Sequence, residues 1–287
     1  MSTETRIGPA TFRWGERTYV MGILNATPDS FSNDGLLAVD DPIATAVAAG
    51  RRMVDEGADL LDVGGESTRP GHAPVDAEEE RRRVVPVVAA LRAALPRTPI
   101  SVDTTKPEVA EAALDAGADL LNDVWGVGPD DAMARVAAAR AVPLVVMHNR
   151  AEPRHADLIA EVVADLRVAL DRAIRLGVDG QRLIVDPGFG FGKTPAQNLV
   201  LVRELGALRT LGRPILIGTS RKSTLGRILD LPVGERLEAT LATTALGIAA
   251  GADMVRVHDV RANVRVARVS DAIIRGTWSA ASEGEPS

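Results

Sequence analysis

Residues 116–123 read Ala116-Gly117-Ala118-Asp119-Leu120-Leu121-Asn122-Asp123. A glycine follows a helix-period stretch and leads straight into a short apolar run that ends in polar residues. Glycine at this place supplies the left-handed turn that closes a helix. The same phrase occurs twice more, as Glu56-Gly57-Ala58-Asp59-Leu60 and Ala250-Gly251-Ala252-Asp253-Met254. It reads as punctuation between a helix and the next strand. Working outward, apolar runs at 19–24, 60–63, 100–103, 120–123, 144–148, 183–186, 215–218 and 254–258 alternate with helical patterns such as 44–56, 77–95, 107–116, 157–176 and 236–250. Strands alternating with helices indicate βα units around a parallel sheet. Eight of them predict an α/β fold, the (β/α)8 TIM barrel. An open doubly wound sheet would carry a glycine-rich dinucleotide turn after its first strand, whereas this chain runs into Asn25-Ala26-Thr27-Pro28-Asp29.

The segment Phe12-Arg13-Trp14-Gly15-Glu16-Arg17-Thr18-Tyr19 predicts an N-terminal β-hairpin, at about 10–20, with its turn near Gly15 and closing the bottom of the barrel. The expected organisation is one domain over 1–287, with the barrel at about 19–276 and a small, polar, disordered tail at 279–287. The chain has 287 residues, 46% hydrophobic and 25% charged, enough to bury a large single core. It has no cysteine, which excludes a disulfide scaffold, a thiolate metal site and a cysteine nucleophile. A net charge of −6, with no basic run longer than Arg81-Arg82-Arg83, argues against nucleic acid as partner. No apolar run has the length of a membrane span, and 1–10 lacks the apolar core of a signal peptide. The expected setting is the cytoplasm. Only Lys106, Lys193 and Lys222 among the 33 basic residues are lysines.

In TIM barrels the active site lies at the C-terminal ends of the strands. Those ends here carry Asn25; Asp62 with Gly64-Gly65-Glu66-Ser67-Thr68-Arg69; Asp103; Asn122-Asp123; His148-Asn149; Asp186; Gly218-Thr219-Ser220-Arg221-Lys222-Ser223; and Arg256 with His258-Asp259. A carboxylate beside a buried strand is costly without partners, so this concentration points to a site. The competing role for Asp103 or Asp186 alone is a helix N-cap at a βα turn. Gly188-Phe189-Gly190-Phe191-Gly192-Lys193-Thr194 resembles a phosphate loop, but Pro187 stands where the first glycine should fall, so a nucleoside-triphosphatase is rejected. Phe31, Phe189 and Phe191 fall in strand-end loops of a chain with only 3% aromatic residues. They suggest flat surfaces for a flat ligand, with apolar caps over the barrel as the alternative.

Taken together, seven motifs resemble the dihydropteroate synthase family. They are Asn25-Ala26-Thr27-Pro28-Asp29-Ser30-Phe31-Ser32, Asp62 through Gly71, Ser101-Val102-Asp103-Thr104, Asn122-Asp123, Asp186 through Lys193, Ser220-Arg221-Lys222-Ser223 and Arg256-Val257-His258-Asp259. The resemblance implies a (β/α)8 barrel and a reaction that joins 6-hydroxymethyl-7,8-dihydropterin pyrophosphate to 4-aminobenzoate, with Mg2+ present. It implies a pterin pocket of Asp103, Asn122, Met147, Asp186, Phe191, Lys222 and Arg256. A diphosphate site would follow from Asn25, Thr68, Arg69, Arg256 and His258, with Asn25 as the metal ligand. Thr68, Pro70, Lys222 and Ser223 would surround 4-aminobenzoate, and Asn25, Arg69, Lys222, Arg256 and His258 would serve catalysis. Sulfonamides would be inhibitors, and a homodimer is expected through helices away from the mouth. The family usually continues Phe-Ser-Asp-Gly-Gly where this chain has Phe31-Ser32-Asn33-Asp34-Gly35, so the acidic position is Asn33 or is displaced to Asp34. An inactive pterin-binding paralogue and a pterin-dependent methyltransferase are the alternative readings.

Overall fold

The computed structural model describes residues 4–26, 41–66, 75–126 and 131–278. Eight parallel strands form one sheet: β3 (Tyr19–Asn25), β4 (Leu60–Gly64), β5 (Ile100–Asp103), β6 (Leu120–Asp123), β7 (Leu144–Met147), β8 (Leu183–Asp186), β9 (Leu216–Ile217) and β10 (Met254–Val257), in the order β8-β7-β6-β5-β4-β3-β10-β9. A parallel bridge between Val185 and Ile215 joins the two ends, so the sheet closes on itself. Helices α1 (Pro42–Asp55), α2 (Ala77–Ala94), α3 (Pro107–Asp115), α4 (Ala132–Arg140), α5 (Leu158–Arg175), α6 (Pro195–Arg203), α7 (Ser223–Leu229), α8 (Leu237–Ala249) and α9 (Val260–Arg275) intervene between strands or follow the last one. Among the described residues no helix is long and apolar enough to cross a membrane.

Each helix–strand joint marked by the repeated phrase has the same geometry. Gly57, Gly117 and Gly251 sit at φ 104, 112 and 107, where an L side chain is strained. Around Gly117, Gly117 N donates to Leu114 O at 3.1 Å and Ala118 N to Ala113 O at 2.9 Å, the paired bonds of a Schellman motif. A fourth joint, Leu176-Gly177-Val178-Asp179, repeats these bonds at 3.0 and 3.1 Å with Gly177 at φ 100.

The aspartate of the phrase does more than punctuate. Asp59 accepts the amide of Val20 (2.8 Å), Asp119 that of Ile100 (2.9 Å) and Asp253 that of Ile215 (3.0 Å). Each carboxylate therefore satisfies an amide on or beside the neighbouring strand at the barrel floor. Arg17 and Arg92 supply counter-charge to Asp59 and Asp119.

Two apolar layers follow from the period-two alternation of strand side chains. Leu61, Val63, Val102, Leu121, Val146, Val185 and Val255 face outward and pack with the helices. Met21, Leu60, Leu120, Val145, Ile184, Leu216 and Met254 face inward and fill the lower barrel. The lower layer includes Ile7 and Phe12, which come from an antiparallel hairpin of β1 (Glu4–Ile7) and β2 (Ala10–Arg13). The hairpin thus closes the bottom as expected, but one element earlier. Its two-residue turn is Gly8-Pro9, with Ile7 paired to Ala10 and Gly8 at φ 53, a turn that takes glycine at its first central position. Gly15 also has positive φ, at 90, but it bends the link from β2 to β3, which do not pair. A Cβ on Gly8 would lie 2.2 Å from Asp119 Oδ1, so the hairpin turn rests directly on the floor of β6.

Asp119→Ala is expected to lower stability by about 2 kcal/mol, because it strands the buried amide of Ile100 and the guanidinium of Arg92. Asp119→Asn, which keeps an acceptor, should lose less. Urea denaturation of the two variants against the parent chain checks the order.

Candidate active site

The same alternation that fills the floor with apolar groups puts polar ones at the mouth. Two residues above Leu60 stands Asp62, above Leu120 stands Asn122, above Val145 Met147, above Ile184 Asp186 and above Met254 Arg256. Asp103 stands above Ser101, and Asn25 ends β3, paired in register with Gly64. Asp62, Asp103, Asn122, Met147 and Asp186 are all buried, and Asn25 is half-buried. Asp123 and His148, their chain neighbours, lie on the opposite side of the strand. His148 Nε2 is 3.1 Å from Asp165 on α5.

Neither Asp103 nor Asp186 caps a helix. Lys106 occupies the N-cap of α3 and Thr194 that of α6, so the structural alternative for these carboxylates falls away. Asp103 instead belongs to a network centred on Arg256. Its Nε donates to Asp62 Oδ2 and its Nη2 to Asp103 Oδ2, both at 2.6 Å, while Asn122 Nδ2 donates to Asp62 Oδ2 at 3.1 Å. Burial works against the Arg256 charge, but Asp62 and Asp103 outweigh it and hold the pKa above its ordinary value. Asp103 moves upward, driven by desolvation, opposed by Arg256 and reinforced by Asp62. Asp62 Oδ1, Asp103 Oδ1 and Ser101 Oγ are buried without a hydrogen-bond partner. Buried acceptors of this kind carry a desolvation cost until a donor reaches them.

Asp186 accepts the amide of Gly188 at 2.7 Å. Desolvation raises its pKa to about 6 against that hydrogen bond and the nearby charges of Lys222, Lys193 and Arg256. Lys222 Nζ lies 4.0 Å from the centre of the Phe191 ring, and a Cβ on Gly190 would stand 3.2 Å from its Cδ, so ammonium and stem are seated on the glycine-rich segment. Ser223, first in α7, is exposed beside it. On the last strand, Ser220 Oγ accepts the His258 amide at 3.2 Å and lies 3.0 Å from His258 Nδ1.

Three features were not expected from the sequence. Asp62 shares Arg256 with Asp103, and inward alternation from Leu60 would have flagged it. Arg221, at φ 57, is held by Asp259 through bonds of 3.1 and 2.6 Å, tying the β9 exit to the β10 exit. Phe189 is not a surface for a ligand: it is 1% exposed and packs in the layer between barrel and helices. Phe191, two residues on, is half-buried and lies under Lys222. Thr68, Arg69 and Pro70 lie outside the described residues, as do Phe31, Asn33, Asp34 and the tail at 279–287. Among the described residues no group of three or more acidic, histidine or cysteine side chains could hold a metal ion.

Residues 21–258 match the family model for pterin binding enzymes. The dihydropteroate synthase of Clostridium beijerinckii is 49% identical over 94% of this chain and 99% of its own length. Among solved structures, a dihydropteroate synthase from Clostridium difficile, crystallised in the presence of pteroic acid, superposes with a TM-score of 0.87 at 48% identity, covering 92% of this chain and 99% of that one. The Xanthomonas albilineans dihydropteroate synthase with 4-aminobenzoic acid gives a TM-score of 0.89 at 42% identity, covering 95% and 98%.

The raised pKa of Asp186 means that its ionisation opposes folding. The cost is absent below its unfolded value near 4, grows as pH rises and is complete above about 6. Asp186→Asn can still accept the Gly188 amide, so it is expected to stabilise the fold by on the order of 1–3 kcal/mol at pH 8 and by less at pH 5. Denaturation curves at the two pH values test this; an equal effect at both would contradict it.

Proposed function

The chain belongs to the pterin binding enzymes and, among them, to the dihydropteroate synthase family, and from that premise we propose how its residues divide the work. The reaction joins 6-hydroxymethyl-7,8-dihydropterin pyrophosphate to 4-aminobenzoate and releases pyrophosphate. The observation that carries the division is the pair of unpartnered buried oxygens, Asp62 Oδ1 and Asp103 Oδ1, in the mouth. A pterin edge offers amino and ring N–H donors beside a carbonyl acceptor. Asp103, Asn122 and Asp186 read the donors, and Lys222 reaches the acceptor. Met147 and Phe191 supply apolar walls. Arg256 commits Nε and Nη2 to Asp62 and Asp103, which leaves its planar face for the pterin ring and Nη1 for phosphate.

Bond cleavage at the pterin methylene sends the electron pair to the departing diphosphate. Positive charge spreads into the electron-rich dihydropterin, and the aminobenzoate nitrogen then attacks the carbon and loses a proton. Arg256 and His258, with Asn25, stabilise the leaving group through charge and N–H donation, and their motif assigns Arg69 and Thr68 to the same task. Asn25 makes no side-chain hydrogen bond to another described residue and presents a neutral oxygen. A neutral oxygen suits a Mg2+ ion whose remaining ligands are water and phosphate oxygens. When bound, the ion would neutralise charge on the diphosphate. Thr68, Pro70, Lys222 and Ser223 form the 4-aminobenzoate site.

The cysteine-free chain needs no oxidising compartment, which supports a cytoplasmic enzyme. A homodimer is supported by the packed pair α8 and α9, which leaves Leu246, Val269 and Ile273 exposed, the last at 74%, on helices outside the barrel. Ile273→Glu is expected to convert a dimer to a monomer in size-exclusion chromatography with light scattering, and a parent chain that elutes as a monomer contradicts the assembly.

With pterin diphosphate, 4-aminobenzoate and Mg2+, the purified protein is expected to form dihydropteroate and release one pyrophosphate per product. Lys222→Ala should lower kcat/KM for the pterin by at least about tenfold. Unchanged kinetics in that variant would remove Lys222 from the pocket.

A further inference from the structure

Behind the glycine-rich segment, on the outer side of β7 and β8, lies a lysine that the reaction above does not use. Lys193 Nζ donates to Phe191 O at 2.9 Å and to Gly188 O at 3.1 Å. It stands 2.9 Å from His148 Nδ1 and 3.3 Å from His148 O. None of these partners is a carboxylate. Three carbonyls and an imidazole nitrogen surround a cation that has three protons to donate. His148 suits the part of acceptor: burial and the Lys193 charge lower its pKa to about 4, so the ring is neutral, with Nε2–H directed at Asp165.

The segment held in this way is built for close approach. A Cβ on Gly188 would lie 1.9 Å from His148 O, and one on Gly192 2.3 Å from Arg150 O, so the chain from 188 to 192 is pressed against the β7 exit. Its inner side carries two contacts of the pterin slot, the Gly188 amide on Asp186 and the Phe191 ring under Lys222. Both residues that Lys193 grips by their carbonyls are therefore the ones that touch the slot. The ammonium also acts through space, since its charge favours the ionised form of Asp186.

We propose that Lys193 is a positioning residue of the pterin slot: it ties residues 188–192 to the β7 exit and so holds Asp186 and Lys222 in the arrangement and charge state that bind the pterin. The proposal rests on the assignment of Asp186 and Lys222 to the slot. Lys193 itself is balanced near neutrality. Desolvation lowers its pKa to about 7, Asp186 and Asp165 oppose the fall, and Arg150 and Lys222 add to it. The other titratable groups packed here are His148 and His155 on the β7–α5 link and Glu161 on α5, which is committed to Arg150.

Two variants separate tether from charge. Lys193→Met removes both; Lys193→Gln removes the charge and keeps two N–H donors for the carbonyls, on a stem one bond shorter. For Lys193→Met, KM for the pterin diphosphate is expected to rise by about tenfold, with a smaller change in kcat. In both variants the acid limb of kcat/KM for the pterin, near pH 6 in the parent if Asp186 governs it, should move up by about half a pH unit or more, because a cation beside the carboxylate is gone. If Lys193→Met fails to fold, the limb in Lys193→Gln decides. A parental pterin KM in Lys193→Met together with an unmoved limb in Lys193→Gln would overturn the proposal, even if thermal stability fell. Asp186→Asn distinguishes failure of the underlying assignment: if that variant keeps the parental limb and KM, Asp186 is not in the slot.

Discussion

Eight strands closing into one barrel leave each strand only alternate side chains for the interior, and everything else in the molecule is arranged around that restriction. The lowest interior level is apolar and is completed from outside the barrel by Ile7 and Phe12 of the N-terminal hairpin. The upper level is polar and faces the mouth. A residue two positions along a strand changes level without changing face, so Leu60 and Asp62, or Ile184 and Asp186, share a direction and differ in purpose. The floor aspartates Asp59, Asp119 and Asp253 lock the starts of β4, β6 and β10 to an amide on or beside the neighbouring strand, which helps secure the register that brings the mouth residues level.

The mouth gathers more charge than a buried surface can hold cheaply. Arg256 offsets part of it by serving Asp62 and Asp103 at once, yet each of those carboxylates keeps one oxygen without a donor. Asp186 has a backbone amide on one oxygen and cations at longer range. These groups are held ready by the scaffold, and a ligand rich in N–H donors recovers the desolvation cost on binding. The glycine-rich segment meets the same demand from the other side. Its glycines permit close backbone contact with the β7 exit, and its lysine fastens it there without adding a further carboxylate to the pocket.

Much of this was legible beforehand because it depends on local rules. The Gly-Ala-Asp phrase announced helix ends that recur with the same hydrogen bonds, and the strand ends carried the residues that converge in the mouth. Other features depended on partners distant in the chain. Gly15 and Gly8-Pro9 are both plausible turns, and only pairing of β1 with β2 selects the second. Phe189 and Phe191 are two residues apart in a segment without strand or helix period, so nothing local tells which is core and which meets Lys222. Asp62, the Arg221–Asp259 tie and the Lys193–His148 contact join residues far apart in sequence.

The amino-acid sequence by itself determined the barrel, its eight strands and the family, because periodicity, helix-ending glycines and ordered motifs act over a few residues at a time. Tertiary structure alone decided which carboxylates share Arg256, where the hairpin rests and what Lys193 holds. Those outcomes are set by closure of the sheet, which brings strands from opposite ends of the chain within hydrogen-bond distance and buries their polar groups together.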